Sequence, residues 1–136
     1  MSVCIFCCAA MLVLTGCAPN TLEDFYYEGV ARCKALVAQL QKIHNREELI
    51  AAESALKKQF DELVDLMTRA REFQEEHMED KPLLSDNTMS DLLEEELRRI
   101  YALEGGREVI ERAQQEALAR LDAWERTCLK RKQLLR

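Results

Sequence analysis

The sequence predicts an all-α protein, built either as a long antiparallel helical hairpin or as a small up-and-down bundle. The chain of 136 residues has only two prolines and four glycines, and it is rich in Leu, Ala, Glu, Arg and Gln, a composition that is typical of long helices. Its apolar residues recur at steps of three and four, the period of an amphipathic helix. Aromatic residues make up only 6% of the chain, so we do not expect a core that encloses a large ligand cavity.

The first amphipathic stripe predicts a helix of about six turns. We expect the helix to begin after Asn20 or Thr21, which are N-cap residues. Glu23 and Asp24 would then lie in the first turn, where they complement the helix dipole. The apolar positions of this stripe are Leu22, Tyr26, Val30, Cys33, Leu36, Val37, Leu40 and Ile43.

A second stripe starts with a different phase after Ile43. Asn45 is an N-cap residue and Glu48 follows it three positions later, a spacing that favours a helix start. Either a second helix begins at Asn45 or a single long helix changes register there. The apolar positions that follow are Leu49, Ala52, Leu56, Phe60, Leu63, Met67, Ala70 and Phe73.

Two further breaks are predicted downstream. Residues 80–87 include Pro82, which disfavours helical backbone at the residue before it, and this segment ends in residues that cap helices. Gly105 and Gly106 mark the second break, because two glycines in a helix interior cost about 2 kcal/mol relative to alanines. The stripes on either side of the glycines contain Leu93, Leu97, Ile100 and Leu103, and then Ile110, Ala113, Ala117, Leu121, Trp124 and Cys128.

The topology depends on where the chain reverses. A single reversal near residue 83 makes two long arms and brings Cys33 within about 8 Å of Cys128 along the axis. A reversal at Asn45 makes a shorter up-down-up bundle, which leaves these two cysteines roughly 27 Å apart. A disulfide between Cys33 and Cys128, which an oxidising compartment permits, would therefore favour the hairpin.

An apolar segment precedes the predicted helices. Residues 3–14 form a run of about a dozen mostly apolar residues, a length that fits the hydrophobic region of a secretory signal peptide and falls short of a bilayer-spanning helix. The run ends in Leu14-Thr15-Gly16-Cys17. This tetrapeptide resembles the lipobox of bacterial lipoproteins, in which a branched aliphatic residue and two small residues precede a cysteine.

The resemblance implies cleavage between Gly16 and Cys17 and acylation of Cys17 with fatty chains such as palmitate, which attach the protein to a membrane. Residues 1–16 would then be a signal peptide and residues 17–20 a lipidated N-terminus with a short tether. Residues 21–136 would be a single helical domain. In the sorting rule of enteric lipoproteins, the residue after the cysteine, here Ala18, favours the outer membrane over the inner membrane.

Two alternatives remain for this segment. One is an uncleaved apolar anchor, because no charged side chain appears before Glu23, although Gly16, Pro19 and Asn20 argue against a spanning helix. The other is an apolar helix buried in a soluble protein.

Charge is distributed unevenly along the chain. The net charge of −6, together with an exported location, disfavours nucleic acid as a partner. No acidic residue occurs from Arg126 onward, where the basic residues are Arg126, Lys130, Arg131, Lys132 and Arg136. This basic segment either complements the dipole of a helix end or contacts anionic lipid headgroups or cell-wall carboxylates, since each basic residue near a membrane contributes about 1 kcal/mol.

No motif in the sequence assembles an active site. No serine occurs in a GxSxG or SxxK context, and the glycine pair has neither the GxGxxG pattern nor a Walker lysine. The only histidines, His44 and His77, lie about 50 Å apart if their helix is continuous, so they cannot share a metal ion. We therefore expect no catalytic residues, no cofactor and no metal.

The sequence thus predicts a lipid-anchored protein of the bacterial cell envelope whose helical domain is a non-catalytic scaffold or binds a partner. A two-helix hairpin covers only part of each apolar stripe, so we expect a homo-oligomer or a helical protein partner. The alternative is a small-molecule or peptide carrier, in which a bundle leaves an apolar groove lined by Tyr26, Phe60, Phe73 and Tyr101.

Overall fold

A computed structural model describes residues 18–77 and 87–135, and the all-α fold class is confirmed. These residues form four α-helices and no strand: α1 (Leu22–Gln41), α2 (Arg46–His77), α3 (Thr88–Tyr101) and α4 (Gly106–Leu134). None of the helices in the described ranges is both long enough and apolar enough to cross a bilayer. Residues 1–16, Cys17, residues 78–86 and Arg136 lie outside the described residues, and so does the predicted break at residues 80–87 except for Asn87, which directly precedes α3.

The four helices pack as a ring in which α1 and α4 each contact α2 and α3. Short turns at residues 42–45 and 102–105 join α1 to α2 and α3 to α4, so each of these pairs is antiparallel. The two turns lie side by side, because the Arg99 guanidinium donates hydrogen bonds of 2.7 and 2.8 Å to the backbone carbonyl oxygens of Leu40 and Ile43. We call the end of the bundle that carries these turns the turn end.

Helices α2 and α4 run parallel to each other. Arg112 donates two hydrogen bonds to Glu53, and Arg120 bonds Asp61, so in both cases the residue on α4 lies 59 positions after its partner on α2. The parallel course brings the end of α4 to the end of α2. The start of α1 lies there too, since α1 and α2 are antiparallel, and we call this end of the bundle the open end.

The chain therefore reverses at Asn45, as the bundle alternative predicts, and the hairpin of two long arms is wrong. The side chain of Asn45 accepts a hydrogen bond of 2.9 Å from the backbone N–H of Glu48, and the Glu48 carboxylate accepts one of 2.7 Å from the backbone N–H of His44. This reciprocal pair satisfies backbone donors at the start of α2. Asn45 thus begins a separate helix and does not mark a register change within one helix.

The predicted break at the two glycines is also confirmed, and each glycine has its own reason. Gly105 has a φ angle of +69°, a left-handed conformation that side chains with a Cβ disfavour. Gly106 has an ordinary φ, but a Cβ at this position would clash with the backbone carbonyl oxygen of Ile100. The close approach of α3 and α4 at the turn therefore requires glycine.

The core contains residues from all four helices, and most of them belong to the predicted stripes. On α2 the predicted stripe is wrong at Met67, which is 39% exposed, and it missed Val64 and Leu66, which are buried. The cause is that α2 is covered on two sides, by α1 and by α4, so its buried face is wider than one stripe. The buried cluster consists of Leu36, Leu40, Ile43, Leu49, Ala52, Leu56, Phe60, Val64, Ile100, Val109, Ile110, Ala113 and Ala117.

We expect Arg99→Ala to destabilise the bundle by about 2 kcal/mol, because it removes two hydrogen bonds from a charged donor and leaves the carbonyl oxygens at the end of α1 without that donor. Urea denaturation followed by circular dichroism measures the change. Arg98→Ala is the matched control, since Glu94 on the same helix is the one described residue that Arg98 bonds, and its cost should stay within about 0.5 kcal/mol. Equal costs for the two variants would contradict the role assigned to Arg99.

Candidate functional site at the open end

The first described residues are fixed to the start of α1 by a capping box. The Thr21 hydroxyl accepts a hydrogen bond of 3.1 Å from the backbone N–H of Asp24. In return, the Asp24 carboxylate accepts bonds of 3.1 Å from the backbone N–H groups of Asn20 and Thr21. These bonds lower the pKa of Asp24, with the bond from Asn20 contributing most. Thr21 is therefore the N-cap, one of the two residues predicted for it.

The capping box keeps the segment between Cys17 and the bundle short. Leu22, the first residue of α1, lies five positions after Cys17 in the sequence, and five extended residues span at most about 17 Å. Ala18 and Pro19 lie beside Tyr27 in a shallow hollow at the start of α1. A group attached to Cys17 would therefore lie near the open end.

Aromatic contacts hold the start of α1 against the end of α2. The ring centroids of Phe25 and Phe73 are 5.5 Å apart, and Phe73 stacks on the His77 ring at 3.9 Å. The His77 ring nitrogen Nδ1 lies 2.8 Å from the carbonyl oxygen of Phe73. Phe25 is buried, whereas the sequence pattern pointed to the half-buried Tyr26.

Polar contacts hold the end of α4 against the same part of α2. Trp124 Nε1 donates a hydrogen bond of 2.9 Å to Glu72, and Lys132 forms an ion pair of 3.3 Å with Glu75. Arg71 pairs with Glu125 at 3.3 Å, and its guanidinium carbon lies 5.7 Å from the centroid of the Trp124 ring. Glu75 is two residues from Phe73, so the start of α1 and the end of α4 lie at one end of the bundle.

The basic residues predicted to contact an anionic surface lie on this end of α4. The four that the structure describes, Arg126, Lys130, Arg131 and Lys132, are all exposed. Lys132 pairs with Glu75, whereas the other three form no ion pair or hydrogen bond with any described residue. Three cations are therefore available to an external partner.

Sequence reasoning missed the apolar component of this site. Leu129, Leu134 and Leu135 are 61%, 87% and 82% exposed, and they alternate with the basic residues. The adjacent Leu134 and Leu135 within a basic segment are the signal that could have identified it. The end of α4 is therefore both cationic and apolar.

The two cysteines of the candidate disulfide are not brought together. Cys33 and Cys128 are free and half-buried, and they lie on α1 and α4, which do not contact each other. Burial raises the pKa of the Cys33 thiol. The predicted disulfide requires the two-arm hairpin, which places Cys33 and Cys128 at the same level of neighbouring arms. Because the chain reverses at Asn45, the two cysteines do not have this arrangement.

The four aromatic residues predicted to line a carrier groove do not share one surface. Phe60 is buried in the core and Phe73 stacks at the open end, whereas Tyr101 is exposed at the turn end beside Arg107, whose guanidinium carbon lies 5.5 Å from the centroid of the Tyr101 ring. Within residues 18–77 and 87–135, no three His, Cys, Asp or Glu side chains are grouped closely enough to hold a metal ion.

Comparisons with known proteins found no relative of this chain. The sequence matches no protein-family model, and no similar protein was found among curated proteins or among solved structures.

Proposed function

We propose that this protein is a lipid-anchored component of the bacterial cell envelope and that its four-helix bundle is a non-catalytic scaffold or partner-binding domain. The proposal assigns residues 1–16 to a signal peptide and assigns acylation to Cys17, with the outer membrane as the favoured location. The observation that carries it is the sequence Leu14-Thr15-Gly16-Cys17 at the end of an apolar segment, five residues before a capped helix.

The short connection between Cys17 and α1 supports this arrangement. With an acyl group on Cys17 in the bilayer, about 17 Å of extended chain at most separates the lipid from Leu22. The bundle then stands with its open end next to the membrane. The turn end lies about 43 Å away, because α4 has 29 residues.

The interior of the bundle supports a non-catalytic role. Every buried residue of the described chain is apolar or glycine, and no polar or charged residue is buried there. Buried and perturbed ionisable groups are the usual components of an active site. The charged side chains of the described bundle are instead exposed or half-buried, and many of them pair between helices.

A partner would bind to the outer faces of the helices. The stripes that a two-helix hairpin would have exposed are buried in the bundle, so they no longer argue for self-association. The outer face of α4 retains Leu118, which is 50% exposed and lies beside Ala119 among polar or charged residues of the same helix. An apolar centre with a polar rim is the usual composition of a protein interface.

We expect the full-length chain, expressed in a bacterial host and fed an alkynyl fatty acid, to become labelled at Cys17. Cys17→Ala should abolish the label because it removes the acylated sulfur, whereas Cys33→Ala and Cys128→Ala should keep it. Click chemistry followed by gel fluorescence measures the label, and mass spectrometry locates it. Labelling of Cys17→Ala at the wild-type level would defeat the lipoprotein assignment.

We also expect crosslinking in intact cells to join the outer face of α4 to a second protein or to a second copy of the chain. Leu118→Asp should reduce the yield of the crosslinked species by at least about tenfold, since it places a charge at an apolar contact. Ile50→Asp on α2 is the matched control, because Ile50 is 49% exposed. Recovery of monomer alone, or equal yields from both variants, would contradict this partner-binding face.

A further inference from the structure

The end of α4 extends beyond the helices that cover its apolar stripe. Helix α3 has 14 residues and α4 has 29, so α4 continues for about 22 Å beyond the length of α3. Helix α1 does not contact α4, which leaves α2 as the one described helix that packs against this part of α4. Ala117 is accordingly buried, Cys128 is half-buried, and Leu135 is 82% exposed.

At the open end, the described basic residues that form no ion pair lie mainly on α4. Glu75 forms an ion pair with Lys132, and Glu125 forms one with Arg71. Neither carboxylate therefore neutralises Arg126, Lys130 or Arg131. The exposed carboxylates of Glu23 and Glu76 lie on α1 and α2. A negatively charged surface would therefore be attracted to the end of α4 and not to the ends of the other two helices.

Leu134 and Leu135 require an apolar environment as well. They are among the most exposed large apolar residues of the described chain, at 87% and 82%, and removing them from water is favourable. Cell-wall carboxylates would pair with the cations but would leave the leucines in water. A second copy that met the first through the same end would place like charges together, which is unfavourable.

An anionic phospholipid bilayer satisfies both requirements. Its headgroups carry the negative charge, and the boundary below them accepts leucine side chains, as it does for amphipathic helices that lie on membranes. Electrostatic attraction falls off within about 8 Å at physiological ionic strength. The tether from Cys17, at most about 17 Å long, allows the open end to come within that range.

We propose that the last three turns of α4 form a second membrane contact, in which Arg126, Lys130 and Arg131 bind anionic phospholipid headgroups and Leu134 and Leu135 enter the interface below them. This inference rests on the proposed lipid anchor, which places the open end at the bilayer. The lipid on Cys17 attaches the protein to the membrane. The contact through α4 then determines which side of the bundle faces away from the bilayer.

The test uses the full chain purified from membranes and reconstituted into vesicles whose acyl chains carry bromine, which quenches tryptophan. Leu134→Trp in a Trp124→Phe background reports on the end of α4, and Tyr101→Trp in the same background reports on the turn end. In vesicles of equal parts phosphatidylcholine and phosphatidylglycerol, we expect quenching of the tryptophan at position 134 and none at position 101. Circular dichroism verifies that each variant is folded.

Charge variants test the electrostatic part. Each basic residue near an anionic membrane strengthens binding about fivefold, so combining Arg126→Gln, Lys130→Gln and Arg131→Gln should lower the equilibrium constant for contact of the α4 end by about 125-fold. Lys42→Gln, Arg98→Gln and Arg107→Gln together are the matched control. They remove the same charge near the turn end and should leave the quenching unchanged.

Three results would overturn the inference. The first is equal quenching of the tryptophans at positions 134 and 101. The second is quenching at position 134 that is as strong in pure phosphatidylcholine as in the vesicles with phosphatidylglycerol. The third is quenching at position 134 that the three α4 substitutions do not change. The mass of the purified chain shows separately whether Cys17 is acylated. Failure of the anchor and failure of the α4 contact are therefore distinguishable.

Discussion

The parallel course of α2 and α4 is the constraint on which the rest of the structure depends. It follows from two chain reversals, at residues 42–45 and 102–105, that lie side by side and are held together by Arg99. With both turns at one end, the start of α1 and the ends of α2 and α4 must meet at the other. The position of the basic end of α4 next to the first described residues is therefore a consequence of topology.

Among the described residues, this topology also places apolar, paired and unpaired charged side chains in different parts of the molecule. The middle of the bundle is a core of aliphatic residues, and Phe60 is its only aromatic residue. Its surface between α2 and α4 carries ion pairs, which add little stability in solvent but fix the register of the two helices. The open end carries exposed leucines and three cations that form no ion pair with any described residue. A lipid anchor at Cys17 would place this end, and not the paired surface, at the membrane.

Helix boundaries could be predicted from the sequence because local rules set them. Thr21 and Asn45 cap helices through their own side chains, and Gly105 adopts a conformation that other residues disfavour. The topology could not be predicted, because the same apolar stripes can be buried in a two-arm hairpin or in a bundle. The choice depends on contacts such as Arg99 with Leu40, which join residues 59 positions apart. The exposed leucines escaped prediction for the same reason, since their exposure depends on how far α3 extends along α4.

The most direct test of this account is a pair of electron spin resonance distances in the full chain, with all six native cysteines replaced by serine so that only the introduced thiols carry labels. Labels on Asn20→Cys and Leu134→Cys should lie within about 20 Å, two helices apart at most. Labels on Asn20→Cys and Tyr101→Cys should lie about 30 Å apart, the length of the 20-residue α1. A distance from position 20 to 101 near 67 Å, as two long arms require, or one shorter than the distance from 20 to 134, would contradict the account.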